Sequence, residues 1–109
     1  MQPEDLLIVF VTCPPERAAG IADLLVIEKI AACVNIFPVN SVYSWKNEIK
    51  HDNESLLIIK TTTRAYDELA IRLKELHPYE VPEIVAVKAA EVDEPYLKWI
   101  EMQTGPTAE

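Results

Sequence analysis

One pattern occurs twice in the sequence, at an interval of fifty residues. The apolar run "LLIV" at residues 6–9 returns as "LLII" at residues 56–59, and each run is followed by Thr and then by a stretch of helical spacing. A second apolar strand follows each helix, at residues 34–36 and again at residues 84–86. Alternation of short apolar strands with helical stretches predicts two β-α-β units in tandem.

The helical stretches have recognisable ends. The first is predicted over residues 15–31, with proline in its first turn, where a missing N–H does no harm. The second is predicted over residues 63–76, and Pro78 ends it because the residue before a proline is forced out of the helical region. A third, short helix is predicted after Asp93, which is a suitable N-cap residue.

Two β-α-β units in tandem are typical of a ferredoxin-like βαββαβ sandwich of the α+β class. Right-handed connections place both helices on the same face of one four-stranded antiparallel sheet. With 109 residues, of which half are hydrophobic, we expect one domain spanning residues 1–109. A domain of this size buries a modest fraction of its surface and often gains stability by association.

The segment between the two units predicts a long β-hairpin. Its polar run His51-Asp52-Asn53 suggests the turn, and Val42, Trp45 and Ile49 are placed along the first arm. Such arms are longer than a four-stranded sheet requires. Unpaired strand edges with aromatic side chains favour pairing with another copy, so the sequence predicts an oligomer.

Net charge and cysteine content limit which binding partners and which cellular compartment we expect. The net charge is −8 and the isoelectric point is near 4.7, which disfavours nucleic acid and anionic membranes, since both are bound through excess Lys and Arg. No apolar run approaches the ~20 residues that cross a bilayer, and no secretory signal is recognised. Cys13 and Cys33 do not form a close pair, so we expect reduced thiols and a cytoplasmic protein.

The segment "ELHPYEVPEI", residues 75–84, carries His77, Tyr79, Glu80 and Glu83 beside or between two prolines. In polyproline geometry His77 and Glu80 would face the same side and form half of a metal or polar site. In strand geometry Tyr79 would pack with His77 against a neighbouring subunit and Glu80 would face solvent. The simpler interpretation of His77 is a residue at a helix C-terminus that interacts with the helix dipole.

Five stretches together resemble the CutA family, the divalent-cation tolerance proteins. They are "IAACVNI" at 30–36, "SVYSWKNEI" at 41–49, "LLIIKTT" at 56–62, "LHPYEVPEI" at 76–84 and "YLKWI" at 96–100. The resemblance covers nearly the whole chain, in order. It implies a ferredoxin-like protomer in a tight homotrimer whose hairpin arms extend sheets between subunits. It also implies binding of copper(II) and other divalent cations, a role in metal tolerance, and no catalytic activity.

The sequence departs from the family at the expected copper ligands. Copper-binding relatives carry a Cys at the end of the first strand and two adjacent His before Pro-Tyr. Here those positions hold Val11, with Cys13 two residues later, and Leu76 followed by His77. The metal ligands predicted for this chain are His77 and Cys13, at or near the family positions, and Glu80 from the segment at 75–84. Asn47 replaces the usual Gly of the family's Trp-Lys-Gly turn, a mild change because Asn tolerates left-handed backbone.

Other functional classes find less support. The chain has no P-loop, G-x-S-x-G or H-E-x-x-H motif, and two glycines cannot build the usual phosphate cradle. "TCPPE" offers one thiol, whereas a Cu(I) chaperone of this fold uses two. The alternative function is a PII-like trimeric sensor of a small anionic metabolite, for which Lys60, Arg64 and Lys88 are candidate ligands.

Overall fold

The computed structural model describes residues 2–105. The elements follow the order predicted for two β-α-β units. They are β1 (Leu6–Cys13), α1 (Pro15–Ile27), β2 (Cys33–Trp45), β3 (Glu48–Thr62), α2 (Tyr66–Leu76), β4 (Val85–Lys88) and α3 (Glu94–Gln103). Short 3-10 turns, Pro3–Asp5 and Thr63–Ala65, precede β1 and α2.

The four strands form one antiparallel sheet in the order β2-β3-β1-β4. The central strands β1 and β3 are the repeated apolar runs, and they pair so that Val9 lies opposite Ile59. This arrangement confirms the ferredoxin-like βαββαβ prediction. It also explains why the two runs are the most apolar strands, since they lie in the centre of the sheet between β2 and β4.

Alternate residues of the sheet face the two long helices. Val9, Val11, Leu57 and Ile59 are fully buried against α1 and α2, together with Leu25, Leu69 and Leu73 from the helices. Both helices therefore cover the same face, as right-handed connections require. The smaller helix α3 packs Leu97 and Ile100 near Leu6, on the opposite face.

Among the elements of residues 2–105, no helix covers most of that opposite face. We call it the open face and define it by Phe10, Phe37, Leu56, Ile58 and Val85, which the strand register places on one side. Phe37 is 60% exposed and Val85 is 50% exposed. An apolar surface of this kind on a single chain indicates an interaction surface.

The prediction for the hairpin turn was wrong. The turn lies at Lys46 and Asn47, where φ is 51° and 65°, and Trp45 pairs with Glu48 across it. Two consecutive residues with positive φ form a two-residue hairpin turn whose twist matches that of the strands it joins. His51-Asp52-Asn53 lies inside β3 instead, with Asp52 opposite Ser41. Ile49 accordingly belongs to the second arm.

Two element boundaries and one helix cap also differ from the prediction. Helix α1 ends at Ile27 and not at residue 31, because Lys29 adopts a left-handed conformation with φ of 63°. Ala32 then donates its N–H to the carbonyl of Lys60, which starts the next strand. The second β-α-β unit's last strand begins at Val85, one residue later than predicted. Asp93 holds the N-cap position of α3 but makes no side-chain capping hydrogen bond.

Candidate functional site

A pocket of about 690 Å³ lies between the hairpin and the segment that joins α2 to β4. We call residues 77–84 the elbow. The hairpin contributes Tyr43, Trp45 and Glu54, and the elbow contributes Tyr79, Glu80 and Glu83. Two segments distant in sequence therefore bring aromatic rings and carboxylates to the same pocket.

His77 fixes the start of the elbow. Its Nε2 lies 2.6 Å from the carbonyl oxygen of Thr12, and its Nδ1 accepts the backbone N–H of Tyr79 at 3.1 Å. Because Nδ1 accepts, Nε2 carries the proton and donates to Thr12, which defines a neutral tautomer. The side chain is 7% exposed, and both ring nitrogens are already hydrogen-bonded.

The contacts within the elbow match those expected for the second of the two geometries, although residues 79–81 form a bend and not a strand. The ring of Tyr79 packs on the ring of His77, with centroids 4.7 Å apart and planes at 57°. Glu80 is exposed. The bend lies between the two prolines, and His77 ties the start of the elbow to the end of β1.

Two tyrosine–carboxylate hydrogen bonds lie on the hairpin side of the pocket. Tyr79 Oη donates to Glu54 Oε2 at 2.7 Å, and Tyr43 donates to Asp52. Burial and the neighbouring Glu54 raise the pKa of Tyr79, and the hydrogen bond to Asp52 raises the pKa of Tyr43. Both phenols therefore remain protonated donors at neutral pH, and Tyr79 joins the elbow to β3.

The structure does not bring the three predicted metal ligands together. Glu80 lines the pocket, whereas Cys13 is fully buried beneath the helices and His77 is committed to backbone partners. Within residues 2–105, no group of three or more His, Cys, Asp or Glu side chains is arranged to hold a metal ion. A ligand set of His77, Glu80 and Cys13 would require rearrangement of the elbow.

Cys13 is expected to be chemically inert in the folded protein. Burial raises the pKa of its thiol, and the carboxylates of Glu54 and Glu16 raise it further, so less thiolate is present at a given pH. In a Cys33→Ser variant, native protein at pH 8 should label with iodoacetamide at least tenfold more slowly than urea-unfolded protein. A Cys13→Ser, Cys33→Ser double variant gives the background. Equal rates for folded and unfolded protein would show that the thiol is accessible.

The sequence did not single out the Glu54–Tyr79 pair. Glu54 is one of eighteen acidic residues, yet it is only 5% exposed. The sequence offers one indication of this burial. Glu54 lies two residues before the apolar run at 56–59, so strand alternation places its side chain on the same face as that run's open-face residues. A buried carboxylate normally has a hydrogen-bond partner, and Tyr79 is the phenol that the elbow supplies.

The three basic residues considered for an anionic metabolite do not share one cleft within the protomer. Register places Lys60 on the side of Ile8 and Lys88 on the side of Leu7, so their side chains leave opposite faces of the sheet. Lys60 contacts Asn35, and Arg64 contacts the carbonyl of Thr104. Among residues 2–105, those that line the pocket include no Lys, Arg or His.

Comparison with known proteins assigns the family. A model of the CutA1 divalent ion tolerance protein matches residues 7–103. The chain belongs to the CutA1 family. The divalent-cation tolerance protein CutA of Thermus thermophilus is 50% identical over 100 residues, covering 90% of this chain and 97% of the relative. The bovine protein CutA is 39% identical over 103 residues, and the match spans 94% of this chain and 58% of the bovine protein.

Solved CutA structures have the same fold. The Thermus thermophilus protein superimposes with a TM-score of 0.88 at 49% identity, covering 92% of this chain and 99% of that one. The PII-like protein CutA from Nostoc, in its apo form, also gives 0.88, at 40% identity over 91% of this chain and 97% of that one. These CutA matches confirm the family predicted from the five sequence stretches. In the part of the chain that the structure describes, no helix is long and apolar enough to cross a membrane.

Proposed function

We propose that this CutA protein binds divalent cations as a homotrimer and serves divalent-cation tolerance without catalysing a reaction. The observation that carries the proposal is the pocket, whose lining includes the carboxylates of Glu54, Glu80 and Glu83 and, among the described residues, no basic side chain. Such a surface attracts cations and repels anions. The pocket therefore favours cation binding over the PII-like sensing of an anionic metabolite.

The open face supports self-association. Phe37 and Val85 expose large apolar areas there, and Val42 and Ile49 on the hairpin arms are 64% and 67% exposed. The hairpin also extends past the end of β1, because Cys13 pairs with Ser55 and, in the part of the chain that the structure describes, residues 48–54 of β3 pair with β2 alone. Three copies that pair these arms and pack their open faces would cover both surfaces.

The cation site is proposed to be completed between subunits. One protomer offers carboxylate oxygens from Glu80 and Glu83 at the elbow, but the described residues hold no complete ligand set. Water or a neighbouring subunit would supply the remaining ligands. Copper(II) is the preferred cation in this proposal, and a role for His77 or Cys13 remains a prediction that needs local rearrangement.

Replacing Glu80 by Gln is expected to weaken copper(II) binding to the trimer. Loss of one carboxylate ligand should raise Kd by about tenfold, equivalent to about 1.4 kcal/mol. Titration calorimetry measures the change, and light scattering verifies the assembly. Glu91→Gln, an exposed site outside the pocket lining, is the matched control and should bind like the unmodified protein. Equal affinity for Glu80→Gln and the control would remove Glu80 from the site.

A cytoplasmic location is also part of the proposal. Cys13 and Cys33 are both free thiols, which a reducing compartment maintains. Relatives with the same fold are named for other compartments, the chloroplast in Arabidopsis thaliana and the periplasm in Archaeoglobus fulgidus. Fractionation with detection of the native protein tests the location.

A further inference from the structure

The pocket has more room and more aromatic surface than a metal ion uses. Its volume of about 690 Å³ lies within the usual range for sites of small organic ligands, roughly 300 to 1,000 Å³. A single water occupies only about 30 Å³ of liquid volume, so an ion with a few waters would leave most of the pocket unused. Tyr43, Trp45 and Tyr79 contribute rings to the lining.

We infer that this pocket binds a small aliphatic diamine, with its ammonium groups at the carboxylates and its carbon chain against the rings. The inference rests on the cation site proposed above and assigns that site a second, organic class of cation. It concerns the same negatively charged walls, but it uses the aromatic residues that metal binding leaves without a role.

The carboxylates are placed on both walls. Glu54 lies on β3 and is 5% exposed, with Oε2 held by Tyr79. Glu80 and Glu83 lie on the elbow and line the same pocket. A ligand with ammonium groups at both ends can meet the hairpin wall and the elbow wall together. Charge-assisted hydrogen bonds from N–H groups to carboxylates are stronger than neutral ones.

The aromatic residues suit an alkylammonium ligand. Ammonium groups are attracted to the faces of Trp and Tyr rings, and the effect grows when water is excluded. The chain already contains one such contact, since Lys46 Nζ lies 5.8 Å from the centroid of the Trp45 ring. Lys46 itself is not part of the pocket lining. Val81 on the elbow adds apolar surface for the carbon chain between two charged ends.

The test is calorimetric titration of the assembled full-length protein with 1,4-diaminobutane. The neutral isostere 1,4-butanediol is the ligand control. We expect saturable binding of the diamine and at least tenfold weaker binding of the diol, because only the diamine satisfies the carboxylates. Equal binding of both compounds, or no binding of the diamine, overturns the inference.

Variants connect the binding to the named residues. Glu54→Gln keeps the shape and a hydrogen-bond acceptor for Tyr79 but removes the charge, and should weaken diamine binding about tenfold. Trp45→Leu should weaken it about threefold, and Trp45→Phe should recover most of that loss. Trp99→Leu on α3, outside the pocket lining, is the control and should change nothing. Unchanged affinity in both Glu54→Gln and Trp45→Leu places the diamine elsewhere and overturns the inference.

Copper(II) titration of the same samples separates the two proposals. Binding of copper(II) without the diamine overturns the organic-cation inference and supports the proposed function. Binding of the diamine without copper(II) overturns the copper(II) binding of the proposed function and supports the organic-cation inference. If the inference is correct and the cations share the carboxylates, saturating diamine should weaken copper(II) binding, whereas saturating butanediol should not.

Discussion

Replacing Phe37 by Asp is expected to convert the assembled protein into monomers. Phe37 is 60% exposed in the protomer, so the protomer's own core does not depend on it. It lies opposite Leu56 on the open face, where a packed interface would bury both side chains. A carboxylate introduced into such an interface loses its hydration without gaining a partner, which costs several kcal/mol per subunit.

Light scattering and analytical ultracentrifugation at micromolar concentration measure the change. We expect a trimer for the unmodified protein, with interfaces commonly above ~2,000 Å², and a monomer with a lower Tm for Phe37→Asp. Ile71→Asp is the matched control, since Ile71 is 62% exposed on α2 and lies outside the open face. A Phe37→Asp variant that remains trimeric would show that the open face is not the interface. A native monomer of the unmodified protein would contradict self-association itself.

The fold could be predicted from the sequence because its strongest signals are local and repeated. The runs at 6–9 and 56–59 form the two central strands, which are buried on the helix-covered face and therefore must be apolar. Proline and helical spacing then located α2, whose end at Leu76 agrees with the prediction. Apolar patterns of this kind mark the residues that are buried, so they can be recognised from residue types alone.

The hairpin turn could not be located in the same way. Composition favours a turn at His51-Asp52-Asn53, because Asp and Asn commonly occur in turns. Thirteen cross-strand pairs between β2 and β3 instead centre the hairpin on Lys46 and Asn47. Lys carries no general preference for positive φ, so its conformation is imposed by the register of the long arms and not by its own propensity.

The candidate site was visible in part. The sequence indicates the elbow as a candidate site because it combines two prolines with an imidazole, a phenol and carboxylates. The elbow does form part of the pocket lining. Another part of the lining comes from the hairpin, more than twenty residues away in sequence, so the Glu54–Tyr79 contact is a product of topology. The burial of Cys13 likewise depends on which face of β1 the helices cover.

Replacing His77 by Ala is expected to destabilise the protein through the elbow. The imidazole donates to the Thr12 carbonyl and accepts from the Tyr79 N–H, and the side chain is 7% exposed. Removal leaves both backbone groups without these partners and leaves a gap beside the Tyr79 ring. Unsatisfied buried groups cost about 1 to 3 kcal/mol each, so we expect a loss of about 2 to 4 kcal/mol in the free energy of unfolding. Denaturant titration at one fixed protein concentration measures it, because the stability of an oligomer depends on concentration.

Two further variants separate a structural role of His77 from a metal-binding one. His77→Gln can return a donor near the position of Nε2, and His77→Asn can return an acceptor near that of Nδ1, so each should recover part of the stability lost in His77→Ala. If His77 acts through the elbow, copper(II) affinity should follow elbow stability across the three variants, because Glu80 and Glu83 are carried by the same segment. A severalfold loss of copper(II) affinity in His77→Ala, with no loss of stability, would instead identify the imidazole as a ligand. Such a result would show that the elbow opens and releases the ring nitrogens of His77. The prediction of His77 as a metal ligand would then replace its structural role.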